Sequence, residues 1–294
     1  SVDASLLLFE QINKYIKYTN DLNFVKKEFY KLLAEIVDSY MEGINLEKNN
    51  IYMDKDCLIS AGNEHTQLTW MDVKYKNIVS TPRNGKAVEI NALWYNALKT
   101  MENLAIIFKD EEKATYYKKY ASKCKTNFKK VFYNEKRKCL YDVEGDKKIR
   151  PNQLFATALT YPVIEGNTAI AKGIVDTVTK KLKNNYGLKT LAKGEEKYIE
   201  VYEGNPFKRD MSYHQGITWP WLLGIYADSI KNIRDSVKTK TDKNKYTKTY
   251  IVVIIILVYF VKNYYELILQ NQEKIKSFDP YEILEISPSS NKNI

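Results

Sequence analysis

The sequence predicts an all-α fold, a toroid of paired helices whose functional residues lie on one loop face. Apolar residues recur at helical spacing in segments of about 12 to 22 residues, and short turns join these segments in pairs. A few longer loops hold most of the tryptophan and histidine. No βαβ pattern or heptad run is visible. Because long loops inside a compact domain are usually functional, we expect the site to lie there.

The helices follow one another along the chain. Ser1 or Asp3 can cap the first, whose apolar residues from Leu6 to Ile16 keep helical spacing. Further helices are predicted at residues 22–41, 87–108, 111–133, 153–159, 169–182 and 218–233. An extended piece at 51–60, a strand-like piece at 138–143 and an irregular stretch at 186–210 separate them. The second helix, at 22–41, is expected to stop at Gly43.

Charge and cysteine usage exclude several classes of protein. The net charge of +10 comes mainly from lysines scattered along the predicted helices, whereas nucleic-acid binders gather basic residues on one face. We therefore predict a solvated basic surface and no nucleic-acid partner. Cys57, Cys124 and Cys139 form no CxxC pair, which argues against a disulfide scaffold or a zinc site. A reducing, cytoplasmic compartment is expected.

Rare residue types cluster in two stretches. Residues 57–99 hold one of the two histidines and two of the four tryptophans, and residues 213–223 hold the others. Asp72 follows Trp70 in TWMD, in a loop that also carries Glu64 and His65. A carboxyl group against an indole is disfavoured in its charged form, which makes it a proton donor. The alternative is a helix cap or a surface turn.

The segment PRNGKAVEINALWYN is predicted to be a turn followed by a helix. Arg83 is expected either to clamp loop carbonyls or to donate to ligand hydroxyls. Glu89, in the first turn of the helix, suits either the helix dipole or a ligand. Trp94 is a candidate platform for the apolar face of a sugar.

The second stretch, YHQGITWPW, combines polar donors with tryptophan. His214 and Gln215 precede Gly216, and Trp219 follows. His214 is expected to be a neutral hydrogen-bond partner, because no second histidine or cysteine cluster supports a metal ion. The sequence has no GxSxG, P-loop or GxGxxG motif.

Four motifs in order resemble the amylo-α-1,6-glucosidase domain of glycogen debranching enzymes: AGNEHTQLTWMD, STPRNGKAVEINALWYNAL, RPNQLFATAL and YHQGITWPWLLG. The resemblance covers residues 1–231. It implies an (α/α)6 toroid that hydrolyses α-1,6-linked glucose at branch points of glycogen with inversion, without a metal ion or other cofactor. It also implies that Asp72 is the general acid.

The general base is where the sequence departs from the family. Eukaryotic relatives carry a glutamate in an HxGxEW motif, and the matching residue here is Thr218. Inversion needs a second carboxylate to activate water. We predict Glu203 as this base, because its loop leads directly into YHQG, with Glu64 and Glu89 as alternatives.

The remaining assignments concern sugar contacts. Trp70, Trp94 and Trp219 are predicted sugar platforms, and the hydroxyl contacts are predicted to be Asp3, Glu64, His65, Arg83, Glu89, His214 and Gln215. Two other functions stay open. One is another exo-acting glycosidase on the same toroid, of glucoamylase or trehalase type. The other is an inactive fragment that binds sugar or is tethered to a membrane.

The two ends of the chain differ from a complete domain of this family. The chain starts at Ser1 without methionine, and the family's domain begins earlier, so we expect a fragment that lacks several toroid helices and has poor solubility or no activity. Residues 234–249 are predicted to form a lysine-rich linker. The apolar block at 250–261 is short for a membrane span but has lysine and tyrosine at its ends.

The tail resembles the membrane-anchored J-domain subunit of the Sec translocon, above all in FDPYEILEISPSS. That resemblance implies membrane association through residues 250–261 and a J-domain that stops before its HPD tripeptide. Because the two resemblances concern unrelated proteins, we predict that two separate sequences are joined near residues 233–245.

Overall fold

Helix α4 (Val88–Ile107) lies at the centre of the structure. The computed structural model describes residues 1–44 and 50–237, and Ser1–Val237 form one compact unit. Nearly every side chain of α4 is buried, as expected of a helix that is enclosed on all sides. It packs against α1 (Ala4–Thr19), α3 (Tyr30–Glu42), α5 (Glu111–Phe132) and α6 (Phe155–Ala158).

The N-terminal helices confirm the predicted spacing. Helix α1 buries Leu6, Phe9 and Ile12 toward α4. The predicted helix at 22–41 is divided into α2 (Leu22–Phe24), a π-helical turn (Val25–Phe29) and α3, which ends before Gly43 as expected.

Helices α4 and α5 form an αα-hairpin. Three residues join them, and the last, Asp110, caps α5 by accepting a hydrogen bond from the backbone N–H of Lys113 at 3.0 Å. Both helices agree with their predicted bounds to within one residue. Short connections of this kind place consecutive helices side by side.

Short strands interrupt the helices, so the described part of the chain is mostly helical rather than purely α-helical. The antiparallel pairs are β1 (Tyr52–Met53) with β2 (Ile59–Ser60), β3 (Lys74–Tyr75) with β4 (Ile78–Val79), β5 (Tyr133–Asn134) with β6 (Cys139–Leu140), and β7 (Leu188–Lys189) with β8 (Thr218–Trp219). The last pair joins two distant loops and fixes the backbone of Trp219.

The C-terminal half places the second tryptophan-rich stretch. A 3₁₀ turn (Pro151–Leu154) leads into α6, which packs against α9 (Leu222–Val237). Helices α7 (Ala169–Lys181) and α8 (Pro206–Ser212) lie between them in sequence, and α8 falls in the stretch predicted to be irregular. The predicted helix at 218–233 begins later, because Thr218 and Trp219 pair as a strand instead.

Helix α9 extends to Val237, past the predicted domain end at residue 233. Tyr226, Ile230 and Ile233 recur at helical spacing with charged and polar residues between them, so the last turns continue an amphipathic helix. The remainder of the predicted linker, the apolar block at 250–261 and the J-domain-like tail lie outside the described residues. Within residues 1–44 and 50–237, no helix is both long and apolar enough to cross a membrane.

Candidate active site

Trp70 is the residue that connects the two tryptophan-rich stretches. Its indole N–H donates to Oδ1 of Asn152 at 2.8 Å. Its ring makes edge contacts with Trp219 and Trp221, with centroid distances of 6.3 and 5.0 Å. The TWMD loop is thereby fixed against the start of α9.

Asp72 lies beside this aromatic group, immediately before the β3–β4 hairpin. Its side chain is 65% exposed, and its Oδ1 lies 4.0 Å from Nε2 of His214. Asp72 is therefore open to solvent on one side and faces a buried imidazole on the other. This position lets a carboxyl group exchange protons with a ligand.

His214 sits in an aromatic enclosure. Trp219 stacks on the imidazole at a centroid distance of 5.6 Å, and the rings of Trp70 and Tyr213 meet it edge-on at 5.1 and 4.9 Å. Both ring nitrogens are buried without a hydrogen-bond partner. Burial lowers the pKa of His214 to about 3, and the positive charges of Arg150 and Arg83 act in the same direction. The imidazole is therefore neutral at pH 7.

A buried ion-pair network centred on Arg83 contacts the TWMD loop. Arg83 donates to both carboxylate oxygens of Glu89, and its Nε donates to Oδ2 of Asp142 at 2.7 Å. It also donates to the hydroxyl of Thr69 at 3.1 Å, directly before Trp70. Burial opposes the charge of Arg83, but Asp142 and Glu89 outweigh it and raise the pKa of the guanidinium. Burial also raises the pKa of Glu89, which Arg83 counteracts.

A second buried arginine holds the YHQG stretch. Arg150 donates to the backbone carbonyls of Thr190 and His214 at 3.0 and 2.6 Å, and to Oε1 of Gln215 at 2.9 Å. Its Nε lies 3.6 Å from Oδ2 of Asp142. Burial lowers the pKa of Arg150. The two arginines thus share Asp142, and together they connect the two predicted site stretches.

Gly216 lets the neighbouring loop approach the site closely. Its φ is +144°, and a Cβ atom there would lie 2.5 Å from the carbonyl oxygen of Ile199. The backbone N–H of Ile199 donates to the carbonyl of Gln215 at 2.7 Å, and Tyr202 packs against Tyr213 at 5.7 Å. The loop that carries Glu203 is therefore attached next to His214.

A cavity of about 130 Å³ lies between α1, α4, α6 and α9, next to Trp70. Its charged lining residues are Asp3, Glu10, Lys14, Glu89 and Asp228, and its aromatic lining includes Trp70 and Trp221. Burial raises the pKa of Glu10 although its carboxylate accepts hydrogen bonds from Thr160. Acidic groups beside indole rings form a lining suited to ligands with many hydroxyl groups.

Comparison with known proteins decides the family. The sequence profile of the family described as Amylo-alpha-1,6-glucosidase matches residues 1–273. This chain belongs to the amylo-alpha-1,6-glucosidase family. The match extends through the predicted junction at 233–245 and the apolar block that follows it.

Two relatives place this family member in context. A glycogen debranching enzyme of Saccharomyces cerevisiae (strain ATCC 204508 / S288c) is 26% identical, over 63% of this chain and 15% of that protein. A solved structure titled "Sialidase" superposes with a TM-score of 0.52 at 15% identity, over 74% of this chain and 18% of that one. That likeness concerns the fold alone. The chain spans less than one fifth of the length of either relative.

The structure brings four of the predicted site residues of this amylo-alpha-1,6-glucosidase family chain together. Trp70, Asp72, His214 and Trp219 form one contiguous group, although they come from two stretches that are far apart in the sequence. Asp3 lines the adjoining cavity, together with Glu89. Asp3 precedes α1 but does not cap it, because its carboxylate accepts from the hydroxyl of Ser1 instead.

Trp94 lies elsewhere. Its side chain is fully buried in α4, its indole N–H donates to the carbonyl of Cys57 at 3.1 Å, and Tyr40 stacks on its ring at 5.9 Å. Neither face of the indole is open to a ligand. Trp94 is therefore a core residue, and the expectation that it serves as a sugar platform does not fit its position.

Arg83 and Gln215 are occupied by protein groups. The guanidinium of Arg83 is hydrogen-bonded to Glu89, Asp142 and Thr69. The amide of Gln215 accepts from Arg150 and donates to the carbonyl of Ser80 at 2.7 Å. Direct contact of either residue with a hydroxyl group would first require breaking these hydrogen bonds.

Glu64 and His65 lie in the exposed part of their loop. Their side chains are 81% and 79% exposed, and they face each other at 3.4 Å. Glu203 is also exposed. Thr218 accepts a hydrogen bond from the side-chain amide of Asn184 at 2.7 Å.

The environment of Asp72 differs from the sequence expectation. The expected burial against an indole is absent, because the Asp72 side chain is 65% exposed. Its buried neighbour is the imidazole of His214.

Sequence reasoning missed four residues that assemble the site: Asp142, Arg150, Asn152 and Trp221. Arg150 and Asn152 belong to RPNQL, part of a motif that carried the family resemblance, but no function was predicted for either residue. Asp142 lies in the strand-like segment KCLYDV, where an acidic residue in an apolar run indicates a buried partner.

Proposed function

We propose that this chain is a glycoside hydrolase that removes α-1,6-linked glucose at branch points of glycogen or a related dextrin. The observation that carries this proposal is the exposed carboxyl group of Asp72 beside Trp70 and Trp219 in a chain of the amylo-alpha-1,6-glucosidase family. Paired helices around α4 support an (α/α)6 toroid as the complete architecture, with the site on its loop face.

Asp72 is proposed as the general acid. In an inverting hydrolase the acid protonates the glycosidic oxygen as the bond to the anomeric carbon breaks, while a water molecule attacks from the opposite face of the sugar. The exposed side of Asp72 gives a leaving group access to the carboxyl proton.

Glu203 is proposed as the general base. The two carboxyl groups of an inverting enzyme lie about 6.5 to 9.5 Å apart, which leaves room for the attacking water. The hydrogen bond between Ile199 and Gln215 and the packing of Tyr202 on Tyr213 keep the Glu203 loop near His214. A Glu203→Gln variant is expected to lose turnover, and azide is expected to restore part of it. Near-normal turnover would exclude Glu203 as the base.

The sugar contacts are proposed to come from the aromatic group and the cavity. Trp70 and Trp219 are partly exposed and offer apolar surface to a glucose ring. Asp3 lines the adjoining cavity and is proposed to accept hydrogen bonds from sugar hydroxyls, whereas both carboxylate oxygens of Glu89 already accept from Arg83.

The deciding experiment is release of glucose from a limit dextrin by the full chain. Asp72→Asn is expected to reduce the rate by about 10² to 10⁴-fold, the usual contribution of a general acid. Glu35→Gln, an exposed carboxylate on α3 that pairs with Lys31 at 3.7 Å, is the matched control and should keep the wild-type rate. Faster hydrolysis of trehalose or linear maltooligosaccharides would indicate the trehalase or glucoamylase type instead.

A second candidate function is sugar binding without hydrolysis. The hydroxyl of Thr218 stands where the resemblance places a glutamate, and a hydroxyl group cannot act as a base at neutral pH. In that case oligosaccharide would quench tryptophan fluorescence in the wild type and in Asp72→Asn alike, with no glucose released by either.

A further inference from the structure

His214 is buried, polar and without a partner, which is an unusual combination. Its side chain is 1% exposed, and neither Nδ1 nor Nε2 has a hydrogen-bond partner. Leaving such a group unpaired costs about 1 to 3 kcal/mol, so the unpaired buried imidazole requires an explanation. Because almost no ring surface is exposed, His214 is not placed to contact a sugar directly.

The polar group that faces His214 across the gap is the carboxyl group of Asp72. Nε2 lies 4.0 Å from Oδ1, about 1 Å longer than a hydrogen bond. The imidazole is held by Trp70, Tyr213 and Trp219 and cannot turn away, whereas the Asp72 side chain is exposed and free to rotate. A small rotation of Asp72 therefore closes the contact. Catalytic hydrogen bonds are often long in the absence of substrate.

The charges around the ring keep it neutral. The positive charges of Arg150 and Arg83 lower the pKa of the imidazole, Asp142 pairs with both arginines, and the exposed Asp72 is the acidic group 4.0 Å from Nε2. A charged imidazolium would hold Asp72 as a permanent carboxylate through an ion pair. A neutral imidazole can instead donate a hydrogen bond to the carboxyl group of Asp72 without forming an ion pair with it.

We propose that His214 is a positioning residue for Asp72, with its Nε2–H donating a hydrogen bond to Oδ1 of that carboxyl group. This inference rests on the proposed function, because it assigns His214 a part in the acid step. With Oδ1 accepting from His214, the proton of the carboxyl group resides on Oδ2, which is directed to the glycosidic oxygen. The proton passes from Oδ2 to that oxygen, and Asp72 becomes a carboxylate while His214 stays neutral.

The same hydrogen bond strengthens as the reaction proceeds. A hydrogen bond to a charged acceptor is about twice as strong as one to a neutral acceptor. The contact therefore stabilises the transition state more than the bound substrate, and its loss lowers kcat rather than raising KM. Water then restores the proton of Asp72 after the product leaves.

The kinetic test uses two variants of different chemistry. His214→Phe keeps a ring in the aromatic enclosure but removes both unpaired nitrogens, so we expect folding stability to be retained. Its kcat is expected to fall about tenfold with KM within about twofold of wild type. His214→Gln places an amide donor near the position of Nε2 and is expected to recover most of the loss.

The pH profile separates this role from a structural one. A donor favours the carboxylate form of Asp72, so removing it should move the basic limb of the pH–rate profile to higher pH, by up to about one unit. A His214→Phe variant with wild-type kcat and an unmoved basic limb would overturn the proposal.

A spectroscopic test needs no activity. The chain has two histidines, so nitrogen NMR of the full-length protein gives separate signals for His214 and for His65, which is exposed and serves as an internal control. We expect His214 to be neutral with its proton on Nε2. Asp72→Ala is expected to shift the Nε2 signal of His214 and leave both His65 signals unchanged.

The two tests separate the inference from the proposed function. An Nε2 signal that does not respond to Asp72→Ala overturns the positioning role, even if the wild type releases glucose. A responsive signal in a wild-type chain that releases no glucose upholds the hydrogen bond and counts against the hydrolase.

Discussion

Replacing Arg83 with methionine removes the cation that neutralises two buried carboxylates. Arg83 and Glu89 have side chains that are 2% and 1% exposed, and the side chain of Asp142 is 1% exposed. Methionine has a similar length and no charge, so the change leaves little empty space but deprives Glu89 and Asp142 of their shared partner.

The expected loss follows from the burial of the pair. Removing one partner of a buried ion pair costs about 3 to 5 kcal/mol, because the other charge stays buried without compensation. Here one cation serves two carboxylates, and Arg150 lies 3.6 Å from Asp142 and compensates part of its charge. We therefore expect Arg83→Met to lower the free energy of unfolding by about 4 kcal/mol at pH 7.

The control is Lys125→Met. Lys125 pairs with Glu165 at 2.5 Å, but these side chains are 39% and 57% exposed. An exposed pair contributes about 0 to 1 kcal/mol, so the control removes the same charge with little effect. Both variants are compared with the wild type by urea unfolding, monitored by circular dichroism, after confirming that the slope with urea is unchanged.

The pH dependence provides an internal check. Burial raises the pKa of Glu89 even with Arg83 present. Without Arg83 this carboxyl group takes up a proton more readily on folding. The loss of unfolding free energy in Arg83→Met relative to wild type should therefore become smaller as the pH falls from about 7 to 5. A loss below about 1 kcal/mol at pH 7, equal to that of Lys125→Met, would refute the account of this network.

Two further predictions follow from burial. Trp94→Phe is expected to lower the free energy of unfolding by about 1 to 3 kcal/mol and to leave dextrin affinity unchanged. Trp219→Ala should weaken dextrin affinity about tenfold, as measured by equilibrium binding. Equal effects of the two variants on affinity would contradict the assignment of Trp94 to the core and Trp219 to the site. Burial raises the pKa of Glu10 above its ordinary value of 4.5, so its contribution to stability is present below that pH and is lost as pH rises through the folded-state pKa. Glu10→Gln should therefore gain stability relative to wild type between pH 4.5 and pH 7 in urea unfolding, and a constant difference across that range would exclude this role.

Helical spacing in the sequence predicted most helices but not every boundary. The apolar pattern of 87–108 was sufficient for α4, because a helix that is buried on all sides is apolar around most of its circumference and gives a long signal in the sequence. The predicted start of α9 at residue 218 was wrong, since Thr218 and Trp219 pair with Leu188 and Lys189 from a distant loop. Pairing between distant segments leaves no periodic signal in either of them.

The site was predicted in part for a similar reason. Rare residue types identified Asp72, Trp70, His214 and Trp219, because tryptophan and histidine in polar loops are uncommon without a function. The sequence gives no means of distinguishing Trp94 from these, although its position within an apolar helix was consistent with the core. Whether an indole faces solvent or the interior depends on what packs against its helix.

The helical class, the two stretches that meet at the site and the family motifs were predictable before folding, because these depend on residue type and local spacing. The tertiary structure alone decided how the residues are used. It joined Arg83, Glu89 and Asp142 into a buried network, enclosed His214 in aromatic rings and left Asp72 exposed beside it. Burial and charge at a side chain are set by residues far away in the chain, and for that reason they appear only once the chain is folded.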